Sequence, residues 1–356
     1  MSAAGSARVT LRQLCRLEMP GPVLLPSLLP VLRQVVPASH AGFFFCDDRG
    51  NITNMYAERM LEPERMAGYH AQHDSAQFRR QYLARCAAAN PLSRRSVTPE
   101  ERETAYYRDV LAALDVEHFL YAIVRHEGRA LGQLSLYRGA GSTPFDEHDE
   151  QALAGVLHYL GMAVAEPSPP ALRGLQDQVV EEGLALLEEG TGRVLYADAH
   201  WPRLVRLAHG NAINPALART EHETLPRFVA AVLAAVVSAP NAVHMVRTAW
   251  GQFAFRRHAL TSGDGSSTAV ALLLSRLAAQ PLRLAQGAAA LGLSPQQREV
   301  ALLLARGLSN QEIAGELGIT VNTASYHAKR VFERLEVHER SAIGKVLAAA
   351  AGQMAH

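Results

Sequence analysis

The chain is poor in charge: 19% of its 356 residues are Asp, Glu, Lys or Arg, and the formal net charge is +1. So even a balance gives no global attraction to nucleic acid or to an anionic membrane, and any basic surface has to be local. Cysteine is scarce as well. Cys15, Cys46 and Cys86 have no close pairing and all lie in the first quarter, which gives neither a disulfide framework nor a zinc pattern and fits a reducing compartment. Long apolar runs are missing: the longest, "FVAAVLAAVV" at 228–237, falls far short of the ~20 residues that cross a bilayer. The first residues, "MSAAGSARVTLRQLCRLEMPG", interrupt their apolar positions with charges and do not read as a secretory signal. No GxxxxGK[ST] loop is present, so an ATPase module is not expected. Nor is there a nucleophile–base motif, and the expectation is a cytoplasmic binding protein rather than an enzyme, with no cofactor and no metal.

With 48% apolar residues, the chain can bury a large core, and its length suggests about two or three domains. Two seams divide it. "EPSPP" at 166–170 stops a preceding helix and reads as a linker. A second linker spans 278–292, rich in Ala, Gly and Gln. The expected segments are therefore 1–166, 171–277, the linker 278–292, and 293–356. No internal repeat is visible.

The first segment alternates a helical pattern from Val23 to Val36, a strand "FFFC", a strand in "NITNMYAER", and a mixed, mainly helical stretch over 58–112. "HFLYAIVR" and "ALGQLSLYR" follow as strands joined by "HEGR". The stretch "PFDEHDEQALAGVLHYLGMAVA" then begins with carboxylates, which favour a helix N-terminus, and spaces Leu153, Val156, Leu157, Leu160 and Val164 helically. This order predicts an α+β arrangement. Together with "LGQLSLYR…PFDEHD…L", it resembles a GAF domain over about residues 10–165. The middle segment, with "GLALLEE", "RVLYAD", "AVHMVRT", "GQFAFRRHAL" and "TAVALLLS", resembles a small PAS-like domain, although Asp198 stands where such domains often carry Asn. Trp201 and Trp250 are read there as core or interface.

Two adjacent carboxylates, Asp47 and Asp48, follow the first strand. A phosphorylatable receiver domain uses such a pair, but it also needs a phosphoacceptor Asp at a strand end some forty residues on. The corresponding stretch here, "CAAANPLSRRSVTPE", reads as having neither strand nor Asp. Asp47-Asp48-Arg49-Gly50 is therefore predicted to be a hairpin turn with Gly50 in the left-handed position.

The C-terminal stretch is the most specific. Ser294, Pro295 and Gln297 form an N-cap, a first-turn proline and a capping-box partner. Val300, Leu303 and Leu304 make an apolar face, and Gly307 ends the helix. Ser309 and Glu312 repeat the capping box for a second helix with Ile313 and Leu317, Gly318 supplies a tight turn, and Thr320 caps a third helix. Two helices joined by a short glycine turn predict a helix-turn-helix. In the third helix Ala324, Ala328, Val331 and Leu335, spaced 4, 3 and 4, must face inward. Asn322, Ser325, Tyr326, Lys329 and Glu333 fall on the other side, where an amide, a hydroxyl, a phenol and an ammonium suit base edges and phosphates.

"LSPQQREVALLLARGLSNQEIAGELGIT…T…H…L" resembles the LuxR/GerE-type helix-turn-helix over about residues 290–350. The resemblance implies that Ser309, Asn310 and Gln311 hold phosphate at the second helix's N-terminus. It implies too that Thr323 and His327 flank the duplex backbone and that Ser325, Tyr326 and Lys329 read the groove. The family usually has Val-Lys where this chain has Ala324-Ser325, so one cation is missing from the readout face, and Lys329 and Arg330 partly compensate. From 290 onward seven Lys/Arg face six Asp/Glu, so affinity is expected to depend on a homodimer binding paired half-sites of a pseudo-palindromic operator. The helix at 147–165 is the expected pairing element beside the DNA-binding domain.

A domain of the GAF type offers a cavity between sheet and connections for a small-molecule effector. Candidate lining groups are Phe44, Tyr69, His70, His73 and Phe78. A scaffold that only dimerises is the alternative, making a constitutive or partner-controlled regulator. His70, His73 and Asp74 in "YHAQHD" have metal-like spacing, but with fifteen histidines in the chain such a coincidence is easy, and no metal is assigned. The full expectation is a GAF-like and a PAS-like α+β domain followed by an all-α helix-turn-helix domain.

Overall fold

The computed structural model describes residues 3–17, 19–61, 76–165, 178–188, 192–210, 221–238, 243–261, 263, 268–278 and 280–352. Tyr69, His70, His73 and Asp74, and the "EPSPP" linker, lie outside the described residues.

The N-terminal domain starts with α1 (Ala3–Cys15) and α2 (Gly21–Val35). Its five-stranded antiparallel sheet has the order β2-β1-β5-β4-β3. The strands are β1 (His40–Cys46), β2 (Ile52–Ala57), β3 (Leu92–Ser96), β4 (His118–His126) and β5 (Arg129–Arg138). Helix α3 (Ala76–Ala87), the short α4 (Pro99–Arg102) and a π-helical turn (Tyr107–Leu111) fill the connections, and α5 (Glu147–Ala165) closes the domain. Because side chains alternate along a strand, the registers Phe44↔Gln133, Gly42↔Ser135, His40↔Tyr137 and Tyr137↔Phe119 put those residues on one face. Phe43, Leu134, Leu136 and Leu120 occupy the other face, against which α2 and α5 pack. Helix α5 comes so close to β4 that a Cβ on Gly161 would lie 2.1 Å from the Arg125 carbonyl oxygen.

The turn after β1 forms as the sequence predicts. Gly50 has φ +79°, and the Asp47 carboxylate accepts from the Arg49 and Asn51 backbone N–H groups (2.9 and 2.8 Å) and from the Asn51 side chain (2.9 Å). The side-chain bond from Asn51 leads in holding that carboxyl below its usual range. Beyond the turn, the stretch read as strandless does hold a strand, β3, which pairs with β4. Its alternation "LSRRS" has no apolar face to signal it, because it is a sheet edge. The absence of an Asp stands, and an antiparallel sheet replaces the parallel one a receiver would need.

The second domain repeats the arrangement without repeating the sequence. Strands β6 (Gln178–Glu188), β7 (Val194–Ala197), β8 (Val243–Thr248), β9 (Gly251–Thr261) and β10 (Thr268–Ala278) form an antiparallel sheet in the order β7-β6-β10-β9-β8. Helices α6 (Trp201–His209) and α7 (Glu221–Ser238) lie between β7 and β8 in the chain. Asp198 caps the turn into α6, its carboxylate accepting from the backbone N–H groups of Leu184 (2.8 Å), His200 (3.0 Å) and Trp201 (2.9 Å).

Arg276 ties the two domains. Fully buried, its guanidinium donates to the Trp250 carbonyl (3.2 and 3.0 Å) and to the Val23 carbonyl in α2 (2.8 Å). Burial lowers its pKa to about 10. Trp250 packs beside Phe45 and Tyr56 at 6.4 and 5.9 Å between ring centroids, so the tryptophan is an interface residue.

The seam 278–292, read as a linker from its composition, contains helix α8 (Gln280–Ala290). Its two faces serve two cores: Leu282 and Ala285 enter the core of the sheet domains, and Leu284 and Ala288 enter that of the C-terminal domain. That domain comprises α9 (Pro295–Ala305), α10 (Asn310–Leu317), α11 (Val321–Leu335) and α12 (Arg340–Gly352). Helix α12 lies along α8, where a Cβ on Gly287 would fall 1.8 Å from the Leu347 carbonyl oxygen. Helix α1, not anticipated from sequence, bridges as well. The buried Arg298 of α9 donates to Thr10 Oγ1 (2.8 Å) and Ser6 Oγ (2.9 Å), and Arg12 pairs with Glu299 at 3.3 Å.

Candidate nucleic-acid interface and upstream cavity

The helix-turn-helix is built by local chemistry. Ser294 Oγ accepts from the Gln297 N–H (3.3 Å) while Gln297 Oε1 accepts from the Ser294 N–H (2.8 Å). The same reciprocal pair joins Ser309 and Glu312 at 3.3 and 2.7 Å. Those bonds to Ser309, the backbone one foremost, hold the Glu312 carboxyl below its ordinary value. Each pair satisfies two otherwise orphaned N–H groups at a helix start. Gly318 ends α10 at φ +63°, a conformation that costs an L residue energy and glycine little. Thr320 Oγ1 then accepts from the Thr323 N–H at 3.1 Å and opens α11.

Within α11, Ala324, Ala328, Val331 and Leu335 are buried against the other three helices. On the outer side Asn322, Lys329 and Arg330 are exposed, and Tyr326 is 56% exposed. The Arg330 guanidinium lies 5.6 Å from the Tyr326 ring centroid and pairs with Glu333 at 3.0 Å, which offsets part of its charge. Lys329 and Lys345 are the chain's two lysines, all other basic side chains apart from histidine being arginine. The fifteen residues of α11 span about 22 Å at 1.5 Å per residue. That rod, polar along one side, fits a major groove ~12 Å wide.

The other residues singled out from sequence sit around this helix. Ser309 and Gln311 are exposed at the start of α10. Asn310 is half-buried and structural in its contacts: its Nδ2 donates to Ser325 Oγ (3.0 Å), and its Oδ1 accepts from Arg340 (3.1 Å), which also donates to the Leu308 carbonyl. Thr323 shares a hydroxyl–hydroxyl bond with Thr320 at 2.8 Å. His327 is half-buried, its ring 5.4 Å from that of Tyr326. Asn322, Tyr326 and Lys329 thus form the open face, with Ser325 and Asn310 fastening α10 to α11 beneath it.

In the N-terminal domain a cavity of about 310 Å³ lies on the sheet face opposite α2 and α5. Phe78 stands in its wall. Phe44, offered as a lining group, shares that sheet face but is buried and packs on Phe78 at 6.5 Å between ring centroids, without reaching the cavity. The polar groups that do line it were missed: His40, Arg59, Arg85, Arg95, Tyr121 and Gln133 among them. A signal existed in "GQLSLYR", where Gln133, Ser135 and Tyr137 alternate with Leu134 and Leu136, the pattern of a strand with one apolar and one hydrogen-bonding face. His40 is kept neutral, its pKa lowered to about 3 by burial and then by the charges of Arg59 and Arg33. Cys46, the last residue of the same strand, β1, is pushed up to about 12 by burial and is a packing residue. Among the described residues no cluster of His, Cys, Asp or Glu could hold a metal ion, and no helix is long and apolar enough to cross a membrane.

The pattern of bacterial regulatory proteins of the luxR family matches residues 291–346. The two-component response regulator PprB of Pseudomonas aeruginosa is 43% identical over 61 residues, 17% of this chain and 22% of that protein. The response regulator protein VraR of Staphylococcus aureus is 41% identical over 49 residues, 14% of this chain and 23% of that protein. The chain thus spans under a quarter of the length of these curated relatives. Among solved structures, the GAF domain of cyanobacteriochrome TePixJ is similar at 12% identity over 42% of this chain and 92% of that one, with a TM-score of 0.32. Bacteriophytochrome RpBphP3 from R. palustris is similar at 10% identity over 76% of this chain and 63% of that one, with a TM-score of 0.31. At those scores the two structures add nothing to the topology described above. Residues 291–346, with their capped helices and groove-sized outer helix, are a helix-turn-helix DNA-binding domain of the LuxR family.

Proposed function

We propose that this chain is a homodimeric, sequence-specific transcription regulator of the cytoplasm, controlled by a small molecule bound in its N-terminal, GAF-like domain. The observation that carries the proposal is the outer face of α11. Asn322, Tyr326 and Lys329 have no role in the core and project where base edges and phosphates would lie. The near-balance of seven basic and six acidic residues from 290 onward favours paired binding, since one domain alone has little phosphate attraction. The cavity of about 310 Å³ supports the effector. Helices α1 and α8 join the sheet domains to the DNA-binding domain, and a ligand that favours one arrangement of them would shift the population able to span two half-sites. The chain is read as a binder and not a catalyst because its sequence has no nucleophile–base motif and no nucleotide loop.

Selection of duplexes from a random library by the full-length chain tests this reading. Enrichment of a two-fold-related sequence is expected, with half-site centres about one helical turn (~34 Å) apart and two chains per duplex by native mass spectrometry. No enriched sequence, or one chain per duplex, would contradict it.

A further inference from the structure

The cavity of the N-terminal domain carries an unbalanced charge. Three guanidinium groups, Arg59, Arg85 and Arg95, line it. Arg95 is matched: its Nη1 donates to both Glu101 oxygens at 3.1 and 2.8 Å, and its guanidinium lies 4.1 Å from the Phe119 ring centroid. The others are not. Arg59 donates to a carbonyl, that of Leu114, at 3.2 Å. Arg85 is half-buried with its guanidinium 4.9 Å from the Tyr121 ring centroid, and its Nε is enclosed with no acceptor. Neither pairs with a carboxylate among the described residues. Arg59 is exposed and screened by solvent, whereas the half-buried Arg85 without a counter-ion is costly, because its low-dielectric surroundings stabilise the charge poorly. Burial first, and then the charges of Arg59 and Arg33, keep His40 unprotonated in the adjoining wall.

Much of the remaining wall is apolar and aromatic, including Met55, Phe78, Leu111 and Phe119, with His40, Gln81, Gln133 and Ser135 among it. Two further enclosed polar atoms lack a partner there: Gln133 is 3% exposed, its Nε2 donates to Ser135 Oγ at 3.2 Å and its Oε1 has no partner, and the buried His40 has none at Nδ1. Building on the proposed role of this domain as a ligand-binding unit, we infer that its cavity takes a small organic anion, a carboxylate on an aromatic body. The carboxylate faces Arg85 and Arg59, and the ring lies among the aromatic walls. An anion supplies the missing counter-charge. A neutral ligand would leave the half-buried Arg85 unmatched, and a cationic one would add to the imbalance. An N–H or O–H on the body would satisfy Gln133 Oε1.

Phenylacetate and its neutral isostere phenylacetamide test the inference in isothermal titration of the full-length protein. Phenylacetate is expected to bind with a Kd of about 1 mM or tighter, and phenylacetamide about tenfold more weakly. Arg85→Met should erase the difference while its circular dichroism matches the parent, and Arg85→Lys, which keeps the charge, should preserve the preference. Equal or tighter binding of the amide, or no binding of either at about 10 mM, overturns the anion site. Titrating the selected duplex beside these probes separates the two proposals. Acid-selective binding that leaves duplex affinity unchanged upholds the anion site and counts against small-molecule control. Duplex affinity that responds to the amide but not the acid does the reverse.

Discussion

Gly287→Ala is expected to destabilise the protein by about 2 kcal/mol or more, although alanine for glycine in an ordinary helix interior stabilises by roughly 0.5–1 kcal/mol. The sign follows from one distance. A Cβ at position 287 would lie 1.8 Å from the Leu347 carbonyl oxygen, and 2.6 Å from its carbonyl carbon, where non-bonded heavy atoms need ~3.5 Å or more. Those are backbone atoms of α12, so no rotamer change relieves the contact, and α8 and α12 have to move apart. Leu284 and Ala288 on α8 and Leu347 on α12 share the C-terminal core, which would lose packing as they do. Denaturant unfolding reads the effect as a lower midpoint. A midpoint unchanged or raised would mean that α8 is not seated on α12, and that the DNA-binding domain is not held to the sheet domains through this helix.

Stability is expected to fall as pH drops from 6.5 towards 3, by up to about 5 kcal/mol from His40 alone across the window. Above pH 6.5 the imidazole is neutral in both the folded and unfolded chain, and His40 contributes no pH dependence. Below it the unfolded chain takes up a proton that the folded protein refuses until about pH 3, so protons favour unfolding. Burial dominates that refusal, with Arg59 and Arg33 adding positive charge nearby and the Tyr137 ring packed edge-on at 4.8 Å. Glu58, whose carboxyl is raised mainly by burial, acts in the opposite direction. The measurement is therefore the difference between the parent and His40→Gln in unfolding free energy at successive pH values. The parent should lose stability relative to the variant by about one proton's worth of slope below pH 6.5. Parallel curves would show that His40 titrates normally and that the cavity wall is open to water.

Legibility in the sequence followed the range of the interactions. The helix-turn-helix was readable almost residue by residue because its determinants are local: the Ser294–Gln297 and Ser309–Glu312 boxes, the left-handed Gly318, and the inward series Ala324, Ala328, Val331 and Leu335. The hairpin turn at Gly50 was readable for the same reason. Strand β3 was not, because "LSRRS" gains its place from the partner register Arg95↔Phe119 and not from its own alternation. Helix α8 looked like a linker because alanine, glycine and glutamine carry little pattern, while its two faces acquire meaning only once two cores exist to receive them. The shared strand order of the two sheets left no trace as a repeat, since it is fixed by pairing across long separations.

The candidate sites divide similarly. Tyr326 and Lys329 were found by facing one helix, whereas Asn310 and Ser325 turned out to bond to each other across two helices, which no single-helix projection contains. In the cavity, Phe78 came from the sequence but Arg59, Arg85 and Gln133 did not. They converge from α3, β5 and the segment after β2, and only the folded sheet brings them to one wall.

Lys329→Ala measured against the selected duplex over a range of salt concentrations tests the central claim, that α11 is the helix that enters DNA. Weaker binding at each salt concentration is predicted, with the slope of log affinity against log salt reduced by about 1, as expected for one lost phosphate contact. An unchanged affinity and an unchanged slope would contradict it.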